Sequence, residues 1–316
     1  MNQDYSNTLN RRQLCAAAIA LGAMPASVRR ATALGRSSSP IVDTHLHCFA
    51  GSRDARFPYH QRAPYQPDKA ATPEMLLRLM KQAGVDHAVV VHPEPYQDDH
   101  RYLEHCLSRD SARLRGTCLF FADRPGSVQK LSGLVNRNPG LVVAARVHAY
   151  APDRLPPFGT AELKNLWKTA SDLGLMMQLH FEPRYAEGFE PYIREFPQTK
   201  VIIDHMGRPF QGTPQEHAVV IRWANLPNTI MKISSLPPRD KYPHRDVAPI
   251  VKALAEAYSA DRLIYGGGFN SGASGRSYRD YRQRVASLLP FLSAADLGKV
   301  LGGNAARLYG FEKVRG

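Results

Sequence analysis

From Pro40 onward, short apolar runs alternate with longer amphipathic stretches. Eight such runs predict strands, at residues 41–45, 87–92, 116–121, 141–147, 175–180, 200–205, 229–234 and 262–266. They are nearly continuous in apolar residues, which marks strands buried on both faces, as in a parallel sheet. The intervals between them read as helices. Thr72 supplies an N-cap and Pro73 a first-turn proline. Met75, Leu76, Leu79, Met80 and Ala83 follow at helical spacing, and Gly84 closes the segment. Residues 160–173 repeat the plan and stop at Gly174. Eight such β/α units in one uninterrupted stretch predict an α/β chain folded as a single-domain (β/α)8 TIM barrel over residues 41–311. An open doubly wound sheet fits the same alternation, but no glycine-rich phosphate loop follows the first strand.

Barrel enzymes place their chemistry at the C-terminal ends of the strands. Here those ends carry His45 and His47 on the first, His92 on the second, and Arg146 and His148 on the fourth. His180 ends the fifth, Asp204-His205 the sixth and Ser234-Ser235 the seventh. Six of the 12 histidines therefore lie where a barrel keeps its active site. Residues two apart in a strand share a side, so His45 and His47 aim together at the barrel mouth and Leu46 away from it. Paired imidazoles suit one divalent ion, and His180 is the natural third ligand from across the barrel. Such a site leaves a position for water and lowers its pKa toward about 7. Imidazole ligands suit zinc first, but also iron, copper or nickel. Asp43 sits behind the pair as an orienting group or as part of the core. His205 or His92 is then the general base or acid.

Composition adds three points. The 316 residues carry a formal charge of +13, but no run of five or six basic residues. A nucleic-acid partner is therefore not expected; an anionic small-molecule substrate is. Cys48, Cys106 and Cys118 show no C-x-x-C spacing, so neither a zinc ribbon nor a disulfide framework is signalled. Residues 1–33 differ from the rest. Arg11-Arg12 precedes an alanine-rich stretch without charge from Gln13 to Val28, and Ala31-Thr32-Ala33 offers a cleavage site. The stretch is short for a membrane span. It predicts a twin-arginine signal peptide and export to the periplasm or beyond, leaving a mature chain of charge about +10 with no membrane span.

The segment Asp43-Thr44-His45-Leu46-His47 resembles the first-strand motif of the amidohydrolase superfamily. Residues 56–59 and 63–68 resemble the segment after that motif in 2-pyrone-4,6-dicarboxylate lactonases and related sugar lactonases. Ile203-Asp204-His205-Met206-Gly207-Arg208-Pro209 is similar to their sixth-strand motif, and residues 302–309 to the start of their last helix. The resemblance implies a hydrolase that opens a lactone or cleaves an ester or amide. It implies substrate carboxylates held by Arg146 and Arg239, since a guanidinium matches a carboxylate through two hydrogen bonds. Tyr59 and Tyr65 are candidates to line the mouth.

One departure matters. The family pattern ends the eighth strand in an aspartate that ligates metal or acts as base. Here the turn is Tyr265-Gly266-Gly267-Gly268-Phe269-Asn270, with Gly268 in the aspartate's place. Three readings stay open: a metal on the histidines making hydroxide; chemistry reshaped around Asn270 toward decarboxylation or hydration; or a small-molecule-binding barrel without catalysis. The glycine run is either a tight turn needing positive φ or room for a bulky substrate, and residues 272–276 are a candidate lid.

Overall fold

The computed structural model describes residues 39–150, 154–237 and 246–311. They belong to a compact unit spanning residues 37–316. The signal-peptide segment and Arg239 lie outside the described residues.

Eight parallel strands form one sheet in chain order: β1 (Val42–Leu46), β2 (His87–Val91), β3 (Leu114–Leu119), β4 (Val142–Ala149), β5 (Met176–Phe181), β6 (Val201–Ile203), β7 (Thr229–Ile233) and β8 (Leu263–Tyr265). The sheet curls into a nearly closed barrel, as the alternation of runs predicts. Side chains join the last strand to the first. The Thr44 hydroxyl donates to the Tyr265 carbonyl at 2.7 Å, and the Gly267 N–H donates to Asp43 Oδ1 at 2.7 Å. Helices cover the outside, among them α1 (Pro73–Ala83), α2 (Arg101–Arg109), α3 (Ser127–Arg137) and α4 (Ala161–Asp172). Thr72 caps α1 by accepting from the Met75 N–H, and Gly84 leaves it at φ 68°. Among the described residues, no helix is long and apolar enough to cross a membrane.

The barrel interior is built in layers, because residues two apart in a strand face the same way. At the base, Val42, Val89, Ala144, Met176, Ile202, Ile230 and Ile264 form one apolar cluster, closed from below by Ala305, Tyr309 and Phe311. Two residues further along their strands stand Thr44, Arg146, Gln178, Asp204 and Lys232, a buried polar layer. Two further again come His148, His180 and Ser234. The site thus rests on a polar floor over an apolar plug.

Two strands depart from regular geometry. β6 stops at Ile203, and residues 204–207 turn sharply, with His205 at φ 54° and Met206 at φ 59°. β1 shifts register between Asp43 and Leu46, a bulge of the kind that re-aims side chains beside active sites. Both irregularities fall on the motifs that carry the histidines.

The base is tight at Gly302. A Cβ there would lie 1.8 Å from the Pro40 carbonyl oxygen, just ahead of β1. Gly302→Ala should lower the unfolding free energy by about 1–3 kcal/mol through overpacking. Urea denaturation checks this, and an unchanged midpoint would show that the backbone yields freely there.

Candidate active site

Asp204 stands at the centre of the mouth's floor, with its side chain fully buried. Its Oδ2 accepts from Arg146 Nε at 2.9 Å and from Gln178 Nε2 at 3.0 Å. Its Oδ1 lies 3.0 Å from the Lys232 ammonium and 3.4 Å from His45 Nδ1. Lys232 also donates to the Thr44 carbonyl at 3.0 Å and is fully buried. Burial opposes the Asp204 charge, but Lys232 and Arg146 outweigh it and hold the carboxyl well below its usual range. Burial in turn pushes Lys232 down, against the pull of Asp204.

Three imidazoles are anchored above this floor through the same nitrogen. His45 Nδ1 faces Asp204, His47 Nδ1 donates to the Val91 carbonyl at 2.7 Å, and His205 Nδ1 pairs with the Ser234 hydroxyl at 2.8 Å. Each ring therefore has Nε2 left for a ligand or a proton. The His45 and His205 rings stand 4.4 Å apart and those of His45 and His47 5.1 Å. Burial drives all three below the ordinary histidine range, His45 to about 4, so the rings are neutral. They open into a cavity of about 470 Å³ that Ser235, Gly267, Phe269 and Asn270 also line.

For a divalent ion, the structure groups His45, Asp204 and His205, whose ligand atoms all lie within 4.8 Å of one another. Neutral imidazoles are the ligating form and Asp204 is held ionised, so this donor set fits a metal. It differs from the set of His45, His47 and His180 read from the sequence. His180 has both nitrogens engaged, Nε2 with the Tyr150 hydroxyl at 2.7 Å and Nδ1 with His148 Nδ1 at 3.1 Å.

Other expected residues stand elsewhere or are already occupied. His92 does not reach the cluster. It is fully buried, pairs through Nε2 with the Gln97 carbonyl at 2.9 Å, and stacks on His100 at 4.1 Å. The register of β2 carries it into the packing beneath α2, which removes the basis for a catalytic role. Arg146 is 3% exposed and donates to Asp204 through Nε at 2.9 Å, with Nη2 2.8 Å from the same oxygen, so its partner in the structure is a protein carboxylate. Tyr59 donates to the Pro67 carbonyl at 2.8 Å, while Tyr65 is 46% exposed and packs edge-on to Phe49. Asn270 lines the cavity, but its Oδ1 accepts from the Gly272 N–H.

Lys232, Gln178 and Tyr150 are contributors that the sequence reading passed over. A signal for Lys232 existed. It sits two residues after Ile230, on the inward side of an otherwise apolar run. Asp43 proves structural: it accepts from the His45 N–H at 2.9 Å, the Gly267 N–H at 2.7 Å and the Tyr278 hydroxyl at 2.6 Å. The eighth-strand turn holds Gly267 and Gly268 at φ 117° and 111°, which takes the first of the two readings of that run. A Cβ on Gly268 would meet the Tyr278 ring at 2.8 Å.

Comparison with known proteins agrees with this architecture. The family model described as amidohydrolase matches residues 42–311. The chain is 27% identical over 294 residues to the L-fucono-1,5-lactonase of Burkholderia ambifaria, covering 87% of this chain and 97% of that one. A probable 2-pyrone-4,6-dicarboxylic acid hydrolase from Acinetobacter baumannii, crystallised with citric acid, superposes with a TM-score of 0.69 at 20% identity, over 86% of this chain and 99% of the other. An amidohydrolase from Burkholderia multivorans with bound zinc gives 0.67 at 18% identity, over 86% and 99%.

The depressed histidines set a pH dependence. Burial lowers His92 to about 4 from about 6.5, so protonation favours the unfolded chain. The stability it contributes is complete above about 6.5 and is lost as pH falls through about 4. The melting temperature should drop between pH 6.5 and 4, and His92→Gln should make that drop shallower. Identical slopes for the two proteins would show that His92 contributes nothing.

Proposed function

The chain belongs to the amidohydrolase family, and we propose that it is a hydrolase that opens the ring of a small lactone at the His45–His47–His205 cluster. The observation that carries this reading is the shared anchoring. Three neutral imidazoles, each held by Nδ1, present Nε2 to one cavity above an ionised carboxylate. The similarity to a curated lactonase over nearly its whole length supports the choice of bond.

His205 is the general base of this reading when no ion occupies the site. Its Nε2 is unclaimed, its Nδ1 proton has an acceptor in Ser234, and burial keeps the ring neutral and ready to take a proton. One O–H bond of water breaks as its oxygen joins the lactone carbonyl. His205 takes the water proton and returns it to the ring oxygen as the ring C–O bond breaks, leaving a carboxyl group and an alcohol. His45, His205 and Asp204 are the residues that would hold a divalent ion; with His205 Nε2 then a ligand rather than a base, the ion would supply Lewis acidity toward water and the carbonyl oxygen. Asp204 and Lys232 both face the His45 Nδ1, at 3.4 and 3.5 Å. Arg208, at the end of the sixth-strand turn, and Arg239 join Arg146 as candidates for an anionic substrate group.

Acid release at constant pH from a panel of five- and six-membered lactones tests the reading. His45→Ala and His205→Ala should each cost about 10²–10⁴ in kcat/KM. No acid from any lactone, or variants as fast as the native chain, would sink it. Metal content separates the two ligand sets. About one equivalent should be lost in His45→Ala and His205→Ala but kept in His180→Ala. Loss in His180→Ala with retention in His205→Ala would restore the three-histidine set.

The leader at residues 1–33 supports export by the twin-arginine route. With lysine in place of both Arg11 and Arg12, the precursor should accumulate in the cytoplasm. Undiminished export of that variant would refute the route.

A further inference from the structure

The cavity above the histidines has a further polar group in its wall, on the β8 side. Tyr281 belongs to the helix that follows β8 (Gly275–Ser287), and it lines the cavity together with His45, His47, His205, Ser234 and Ser235. The glycine turn is what lets it in. A Cβ on Gly267 would stand 3.0–3.1 Å from the Tyr281 ring and its oxygen, so the tyrosine fills the space that the glycine leaves. Tyr278, three residues earlier on the same helix face, fills the space at Gly268 in the same way. Where the family pattern brings an aspartate to the end of the eighth strand, this chain brings a phenol.

The phenol is held by its oxygen and not by its proton. The Leu236 N–H donates to Tyr281 Oη at 3.2 Å, and the Ser235 N–H turns toward the same oxygen. Ser235 sits at φ 53°, and successive N–H groups that converge in this way favour negative charge on the oxygen they meet. Both are bonds that the phenol accepts. Its own proton finds no acceptor among the described residues. Burial raises the phenol's pKa and Asp43 of β1 adds to this; the two N–H groups and Arg284 pull the other way. The balance pushes it up to about 12, so the O–H is intact at neutral pH. The same turn also serves the base. Ser234, two residues before the N–H that holds Tyr281, pairs with His205 Nδ1 at 2.8 Å. One short segment after β7 therefore fixes both a base and a donor, and both open on one cavity.

We propose that Tyr281 is a catalytic residue of the lactone-opening reaction, whose O–H donates a hydrogen bond to the lactone carbonyl oxygen. As the water oxygen joins the carbonyl carbon, the carbonyl π pair moves onto that oxygen. A donor already in place stabilises the charge as it forms. When the ring C–O bond breaks, the pair returns and the carbonyl is restored. The proton stays on the phenol throughout. The N–H bonds that the phenol oxygen accepts polarise its O–H and strengthen the bond it gives. A carboxylate at the same end of β8 would repel that charge, whereas a neutral phenol attracts it. The inference rests on the lactone-opening reading and adds to it a donor on the β8 side.

Tyr281→Phe keeps the ring that fills the space at Gly267 and removes only the hydroxyl. On a lactone that the native chain opens, it should lower kcat about 10²–10³-fold with KM little changed. A polyfluorinated tyrosine at position 281 keeps the hydroxyl and makes it more acidic. It should be active at neutral pH and lose activity as pH rises, with the same midpoint as its phenol's ionisation followed by fluorine NMR. A phenol that only packs would give no such limb. A kcat near the native value in Tyr281→Phe, or a fluorinated variant still active after its phenol has ionised, would overturn the inference and leave the lactone-opening reading standing. Acid from no lactone with the native chain would overturn that reading, and the inference with it.

Discussion

The ion network around Asp204 is the constraint on which the rest of the site depends. A carboxylate is buried with two cations, Arg146 and Lys232, drawn from β4 and β7. Gln178 joins from β5, and Lys232 reaches on to the Thr44 carbonyl of β1. One carboxylate thus links strands from most of the barrel's circumference. Removing one member of such a pair leaves an uncompensated charge, at about 3–5 kcal/mol. Arg146, at the place where the resemblance to the dicarboxylate lactonases implies an arginine on substrate, has a buried protein carboxylate as its partner.

The histidines inherit their order from that floor. His45 is oriented by Asp204, His205 by Ser234 and His47 by the Val91 carbonyl. Fixing Nδ1 fixes the tautomer, and in a buried site it also sets which nitrogen remains for chemistry. The backbone is strained to achieve this. His205 and Met206 sit in the left-handed region without being glycine, a conformation that persists only where the surroundings enforce it. His217 of the following helix (Pro214–Arg222) holds the turn by pairing with the Met206 carbonyl at 2.7 Å. Tertiary contacts sustain the local strain, and the strain aims one imidazole.

Much of this was legible in the chain, and the parts that were not have physical causes. Apolar runs and their helical intervals located all eight strands, and Thr72 and Gly84 bounded the first helix, because those signals are local. The H-x-H pair was legible because alternation puts both rings on one side. His92 misled, since a strand-end position does not say whether a side chain enters the mouth or the packing outside it. The β6 terminus misled for a related reason: Asp204 and His205 continue an apolar run in sequence, but the chain has already turned at Ile203. Lys232 and Gln178 were hidden by rarity. A fully buried lysine makes sense only beside its counter-charge, and Asp204 comes from a different strand. Pairing across the barrel is not written in any one segment.

The absent eighth-strand aspartate follows from the same geometry. Asp43 reaches across the barrel seam to hold the Gly267 N–H, and Tyr278 closes over it with a 2.6 Å hydrogen bond. With Tyr278 in that position, a side chain at Gly268 has nowhere to go, because its first carbon would already meet the ring at 2.8 Å. The tyrosine and the glycine are therefore one arrangement, and the carboxylate lost from β8 is not restored by a point change there. Asp43 does not replace it functionally. Three donors consume its oxygens, and it is fully buried behind β1 rather than in the cavity. The base proposed for this barrel stands on the other side of the mouth. There, an imidazole with a free Nε2 stands at the end of β6, beside an acid that two buried cations keep ionised.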